Sequence, residues 1–507
     1  MKQNLTMDYP TILLLLSLLL TFIYSVITFG RRNSRLPPGP YSLPIIGNLL
    51  ELGDKPHRSL TILSRRYGPL MSLKFGSITT IVVSSPTIAK EFFHTHDTAF
   101  SGRSVSLVAQ VDDHHKYSVT FLDAGDQWRR LRRIAKEYLF SRKYLDGSEQ
   151  LRQAKVQELI DHVNHCCTHE KAVNIGTTAF TTTLNILSNF LFSMDLSQYD
   201  YVSSQEFKDA VKGLMEVGGK PNLADLFPIL KAFDPQGLVQ EGNIYAKKIS
   251  VIFDKIIDQR LQTRSSSSSY DGLSSASNDV LDMLFNLNSK DDLEFSQNDM
   301  KHLFMDLFTA GTDTTSSTVE WAMAELIRNP KKMEKVWLEL VKLMKNNNKN
   351  IEEHDISQLP YLQAVIKETL RLHPPGPFLV PHRAIHDVEV QGFIVPKNAQ
   401  IIYNVWAIGR DPSIWLDPET FMPERFLEVG IDYKGHDFEF IPFGAGKRIC
   451  PGLNLAHRML HIILGSLILK FDWKLEGNMR AQDIDMGEKF GLTLPRNVAL
   501  MAIPIKL

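Results

Sequence analysis

Hydrophobic and polar positions divide the chain into an apolar leader, a proline-rich hinge and a long body of mixed periodicity. Thr11 to Phe29 is a run of 19 residues without a charge, rich in Leu and Ile. A helix needs about 20 such residues to cross a bilayer. Arg31, Arg32 and Arg35 follow at once, against one Lys and one Asp before the run. This asymmetry predicts a retained transmembrane anchor over 11–29, with residues 1–10 lumenal and the body in the cytosol. A cleaved signal peptide explains the run less well. The apolar stretch is too long, its positive flank is on the wrong side, and no small-residue cleavage site follows. The sequon Asn4-Leu5-Thr6 would then lie close against the membrane. Over 30–48, Leu36-Pro37-Pro38-Gly39-Pro40 and Pro44-Ile45-Ile46-Gly47-Asn48 cannot be helical and predict a semi-rigid spacer.

The body, 49–507, reads as mainly α with small antiparallel β sheets. Residues 70–83 alternate around Gly76 like a hairpin, and 386–405 alternate like a second small antiparallel sheet. Most of 140–345 reads as helices with polar breaks. The apolar stretch 223–233 is suited to a membrane or a substrate entrance, and the serine-rich stretch 264–278 to a surface linker. Residues 297–328 predict one long helix ended by Asn329-Pro330. Its middle, Ala310-Gly311-Thr312-Asp313-Thr314-Thr315, is a poor helix former, with Gly costing about 1 kcal/mol against Ala. Small side chains there leave room for a flat group, and a carboxylate with hydroxyls can hold a chain of waters for proton transfer. A helix bent by hydroxyls bonded back to carbonyls is the simpler alternative.

A net charge of −1 argues against a nucleic-acid partner. Three cysteines, two of them adjacent, exclude a disulfide framework. His162, His165, Cys166, Cys167 and His169 cluster in sequence without a second pair at zinc spacing, and read as a helix end with incidental thiols. The third cysteine lies in Phe443-Gly444-Ala445-Gly446-Lys447-Arg448-Ile449-Cys450-Pro451-Gly452, just before a helical pattern. Glycines there let the backbone turn sharply and a bulky group approach. Amides at a helix N-terminus favour a thiolate. A thiolate in such a loop suits haem iron.

The spacing of Phe443, Gly446, Arg448, Cys450 and Gly452 resembles the haem-thiolate loop of the cytochrome P450 monooxygenases. The helix motif 310–315 and Glu368-Thr369-Leu370-Arg371 are similar to the same family, and the resemblance covers nearly the whole chain. It is strongest to plant microsomal members, the group of geraniol hydroxylases and alkaloid-oxidising (littorine mutase-like) enzymes. The resemblance implies a P450 fold with an N-terminal transmembrane helix in the endoplasmic reticulum membrane. It implies haem b on Cys450, and electrons from NADPH through a reductase. Trp128, Arg132, His382, Phe443 and Arg448 become haem contacts, with His382 standing where many relatives have an arginine. Thr314 and Asp313 become the catalytic pair that delivers protons for O–O cleavage. Glu368, Arg371 and Arg425 become a buried structural network. Leu107, Phe121, Leu307, Phe308, Ala310, Phe378, Leu379 and Leu492 become pocket residues. The basic face of Arg129, Arg133 and Lys136, with Lys447, becomes the reductase contact.

The function implied is NADPH- and O2-dependent hydroxylation or oxidative rearrangement of a hydrophobic plant metabolite. Pro381-His382-Arg383-Ala384 favours an alkaloid, with Asp306 one turn before Ala310 as a candidate partner for an amine. A monoterpenol hydroxylase is the alternative. A reductase-independent haem-thiolate isomerase fits less well, because it needs neither Asp313-Thr314 nor a basic docking face.

Overall fold

The computed structural model describes residues 8–30, 35–199, 205–267, 279–290, 295–344 and 350–507. The Asn4 sequon and most of the serine-rich stretch lie outside them. Tyr9–Gly30 forms one helix, with side chains described as far as Tyr24. Among the described residues no helix is long and apolar enough to cross a membrane. The span over 11–29 therefore stays an expectation.

The body is mainly helical, and one helix runs through its middle. Gln297–Arg328 spans 32 residues, about 48 Å at 1.5 Å per residue. A capping box starts it: Ser296 Oγ accepts from the Asp299 amide at 3.1 Å, and Asp299 Oδ2 accepts from the Ser296 amide at 3.0 Å. Asn329 ends it, and Pro330 opens the next helix, where a missing N–H costs nothing. The helix Ile175–Phe192 packs along it. Gly311 explains how close they come, because a Cβ there would sit 2.9 Å from Leu187 Cδ1. This glycine serves helix packing, and the room it leaves is taken by Leu187. Nearby, Phe192, Phe207, Phe253, Phe304 and Phe308 form one buried aromatic cluster, with Phe207 and Phe308 edge to face at 4.9 Å.

The largest sheet has five strands, in the order Leu70–Phe75, Ile78–Val83, Gln400–Tyr403, His382–Arg383, Gly102–Arg103. The hairpin 70–83 is antiparallel, but Ile78–Val83 runs parallel to Gln400–Tyr403. The expected small antiparallel sheets are present, and this is the single parallel pairing among the described strands. The reading of 386–405 is corrected. Val388–Val390 pairs with Phe393–Val395 as a separate hairpin, and Gln400–Tyr403 crosses to the main sheet. Alternation showed strands there, but partners more than 300 residues apart are a tertiary matter. The proline-rich segment is also less free than a spacer. The Ser72 amide donates to Pro38 O at 2.9 Å, and a Cβ on Gly39 would sit 1.9 Å from Ser72 O. A three-stranded antiparallel sheet joins Val173–Asn174, Met501–Lys506 and Phe471–Leu475.

Glu368, Arg371 and Arg425 meet in the interior behind the Cys450 loop. Arg371 makes a fork to Glu368, Nε to Oε2 at 2.7 Å and Nη2 to Oε1 at 2.8 Å. Arg425 Nε and the Met422 amide both donate to Glu368 Oε1, at 3.1 and 2.7 Å. The side chains of Glu368 and Arg371 are fully buried. An exposed pair at this spacing stabilises by a few tenths of a kcal/mol. Here the value lies in what removal leaves behind, an uncompensated buried cation. Glu368→Ala should lower stability by about 3–5 kcal/mol, read as a shift of the denaturant midpoint. Glu368→Gln, which keeps an acceptor, should lose less.

Candidate active site

One cavity collects most of the chemistry. It holds about 1170 Å³ of empty space, counting the part open to solvent. The long helix contributes Ala310, Thr314, Thr315 and Thr318, and the 443–451 loop contributes Phe443, Arg448 and Cys450. Trp128 and Arg132 come from the helix Asp126–Ile134, and Leu379, Val380 and His382 from the strand side. Cys450 is partly exposed, and it opens onto the cavity.

The loop is built to hold that sulfur. Gly446 takes φ +64°, and a Cβ there would meet Asp97 Oδ1 at 2.7 Å. The Cys450 amide donates to Phe443 O at 2.9 Å, closing the turn. Burial pushes the Cys450 thiol up, while the Gly452 amide, Arg132 and the Leu453 amide pull it down. A bound cationic metal would favour the thiolate further.

The opposite rim is cationic. Arg103, which the sequence reading passed over, donates from Nε to Thr120 O at 3.0 Å and from Nη1 to Val380 O at 2.6 Å. Arg448 donates to Ser101 O at 2.9 and 3.0 Å and to Leu122 O, and lies 4.6 Å over the Trp128 ring. Arg132 donates to Ile449 O, and Trp128 Nε1 to Val119 O at 3.1 Å. Burial, then the neighbouring Arg448, lowers Arg103 to about 9; burial lowers Arg448 to about 10, against the pull of Asp123 and with Arg132 adding to the fall. None of the three guanidiniums forms an ion pair with a described carboxylate. His382 Nδ1 donates to Phe100 O at 2.8 Å. Burial, with Arg103 and Arg448 nearby, holds His382 well below its usual value. Its ring lines the cavity. A thiol facing one side of a flat space and unpaired cations on its rim fit haem, whose iron needs the sulfur and whose propionates need the cations.

Several expected pocket residues lie elsewhere. Ala310 and Leu379 line this cavity; Leu107, Phe121, Leu307, Phe308, Phe378 and Leu492 do not. Phe308 is in the aromatic core, and Leu307 packs against the same core. Leu107 is buried, its amide donating to Asp225 Oδ1 at 2.7 Å. Phe121 lines a separate outer cavity beside Arg383. Phe378 packs with Phe490 at 5.7 Å, and Leu492 is 42% exposed. Sequence spacing along a helix or loop gives a direction only relative to the axis, and packing decided which direction met the cavity. Asp313 also lies off the cavity wall, where Thr493 Oγ1 donates to its Oδ2. Thr314 faces the cavity, its hydroxyl bonded back to Ala310 O at 2.7 Å.

Asp306 is neither a solvated residue nor an open partner for an amine. Its Oδ1 accepts from Ser118 Oγ at 2.7 Å and its Oδ2 from the Val119 amide at 2.8 Å, and His114 Nε2 lies 3.3 Å away. It fastens the 114–122 segment over the long helix. Asp306→Ala should leave buried donors unpaired, costing about 1–3 kcal/mol each. Amide exchange at Val119 should then accelerate about tenfold or more, as hydrogen–deuterium exchange would show.

A model of the cytochrome P450 family matches residues 37–501. The chain is 53% identical over 486 residues to cytochrome P450 76T24 of Catharanthus roseus, covering 96% of each chain. It is 47% identical over 501 residues to geraniol 8-hydroxylase of the same plant, covering 99% of this chain and 100% of that one. It is 44% identical over 488 residues to ferruginol synthase of Salvia miltiorrhiza, covering 96% and 98%.

Proposed function

The chain belongs to the cytochrome P450 family and is a haem-thiolate monooxygenase, and from there we propose that it oxidises a neutral, largely apolar terpenoid alcohol. Haem b on Cys450 supplies the iron at which dioxygen is activated, with electrons from NADPH through a reductase. The protein supplies the rest. Cys450 lies across the cavity from Thr314 and Ala310, and apolar walls from Val119, Leu379 and Val380 exclude water from the space between. Thr314 offers a hydroxyl at the cavity, and Asp313 stands behind it as the acid for proton delivery.

One observation carries the choice of substrate class. No carboxylate is among the described residues lining the cavity. The acid best placed in sequence to read an amine, Asp306, is occupied by Ser118 and Val119. A cationic alkaloid would find no carboxylate there to pair it, at a cost in desolvation. A neutral alcohol meets no such cost. The similarity to proteins named geraniol 8-hydroxylase supports this reading. An uncharged or weakly basic alkaloid is the second reading, supported by the sequence Pro381-His382-Arg383-Ala384.

The setting is part of the proposal. Residues 11–29 anchor the chain in the endoplasmic reticulum membrane with the body cytosolic, as the arginines after the run favour. The reductase docks on the helix Asp126–Ile134 and the turn after it. Arg132 on the inner face reaches the loop of Cys450, while Arg129, Arg133 and Lys136 are exposed on the outer side. Lys447 is exposed on the loop itself. An acidic partner there would sit a short electron path from the sulfur.

Microsomes holding this chain and a plant reductase, given NADPH with geraniol-type alcohols and tertiary-amine alkaloids in parallel, test the reading. A product one oxygen heavier from the neutral alcohol is expected, dependent on NADPH and lost in Cys450→Ala. Turnover of the amines alone would reverse the choice of substrate class. A product of unchanged mass would mark an oxidative rearrangement.

A further inference from the structure

The C-terminal turn at Gly491-Leu492-Thr493-Leu494 has a connection that substrate contact alone does not explain. Thr493 Oγ1 donates to Asp313 Oδ2. The same turn is fastened to the cavity wall, where the Leu494 amide donates to Pro375 O at 2.9 Å. Pro375 and Gly376 line the cavity. Trp321 Nε1 donates to Leu494 O at 3.0 Å, which ties the turn to the long helix one residue beyond Thr493. Gly219 lets a neighbouring helix end press against it, since a Cβ there would sit 2.2 Å from the Leu492 amide nitrogen. Lys489 pairs with Glu216 at 2.9 Å. The turn thus has fixed supports on three sides, and its remaining polar side chain, Thr493, points at the acid beside Thr314.

We propose that Thr493 is a positioning residue for Asp313: it holds the carboxyl beneath the C-terminal turn, and an occupant bearing on Pro375 and Gly376 releases it toward Thr314. The proposal rests on the reading of Asp313 as the group that delivers protons. The chemistry is a change of hydrogen-bond partner with no net transfer. While Oδ2 accepts from Thr493, the carboxyl is directed away from the cavity. A hydrogen bond to a carboxylate biases such an equilibrium by roughly tenfold to a hundredfold. A shift of the turn, transmitted through Pro375 O and the Leu494 amide, weakens that bond and moves the balance. Proton delivery then follows occupancy of the cavity.

The surroundings of Asp313 agree with a held, not a solvated, acid. Burial pushes its carboxyl up, and the Thr493 hydroxyl and Lys212 pull it down. Lys212 lies on the helix Glu206–Gly219, and Glu320 lies farther along the long helix, itself raised by burial and facing Arg496. No ion pair to Asp313 is present among the described residues, so Thr493 is its direct side-chain partner.

The test uses the haem-loaded enzyme and geraniol, at a concentration that shifts the haem absorbance. Difference infrared spectra against Asp313→Asn assign the Asp313 carboxyl band. In the parent, geraniol should move that band. In Thr493→Val the band should already lie at the moved position and should not respond to geraniol. Thr493→Ser, which keeps the hydroxyl, should behave as the parent. A band in Thr493→Val identical to the parent's, or a parent band indifferent to geraniol, overturns the proposal. The rate of product formation separates the underlying reading. Asp313→Asn should lower it by about a hundredfold, the contribution of a positioned acid. If Asp313→Asn keeps the full rate, Asp313 delivers no proton and that reading fails, whatever the spectra show of Thr493.

Discussion

Buried positive charge around a single cavity is the constraint on which this structure turns. Arg103, Arg132 and Arg448 approach the cavity with backbone carbonyls as their partners. Carbonyl dipoles satisfy the N–H groups but do not cancel the charge. An uncompensated buried cation costs several kcal/mol, so the arrangement requires an anionic occupant. The propionates of haem would meet that requirement, and Cys450 would hold its iron. The same carbonyls belong to residues 101, 119, 120 and 122, so the guanidiniums that receive the cofactor also set the course of the segment above it.

That segment is held from two sides. Trp128 and Arg448 bind its carbonyls, and Asp306 binds Ser118 and the Val119 amide. His114 and His302 meet at 3.0 Å in the same region, and burial lowers His302 to about 4. His114 Nε2 also lies 3.3 Å from Asp306 Oδ1, so the two rings and the carboxylate are buried together. The segment therefore acts as a fixed wall between substrate space and the cationic rim. Asp306 spends both of its carboxylate oxygens on that wall.

Behind the cofactor the demands differ. Glu368 accepts from Arg371, Arg425 and the Met422 amide, so its charge and its lone pairs are both matched. The network ties the helix Pro360–Leu372 to the strand-free stretch that leads into the Cys450 loop. On the oxygen side, Thr314 looks into the cavity while Asp313, one residue away, looks toward the C-terminal turn. Successive residues on a helix point about 100° apart, and here the acid and the alcohol take different directions.

The sequence by itself determined the chemistry at short range. The glycines, Arg448 and Cys450 act within ten residues, and turn geometry and charge at that distance follow from residue type. The long helix was equally legible, because its terminal Asn329-Pro330 is a local signal. So was the hairpin at 70–83, whose strands are joined by a tight turn. Tertiary structure alone decided what faced what. Gly311 read as space for a cofactor and proved to be space for Leu187. Phe308 read as pocket and joined the aromatic core. Asp306 read as a possible amine partner and became a loop fastener. Gln400–Tyr403 found its parallel partner more than 300 residues away. Arg103 carried no local motif and took its place only because Thr120 and Val380 presented their carbonyls to it. In each case the side chain's identity was plain, but its partner came from a distant part of the chain, and packing of the whole core chose between directions that local periodicity leaves equal.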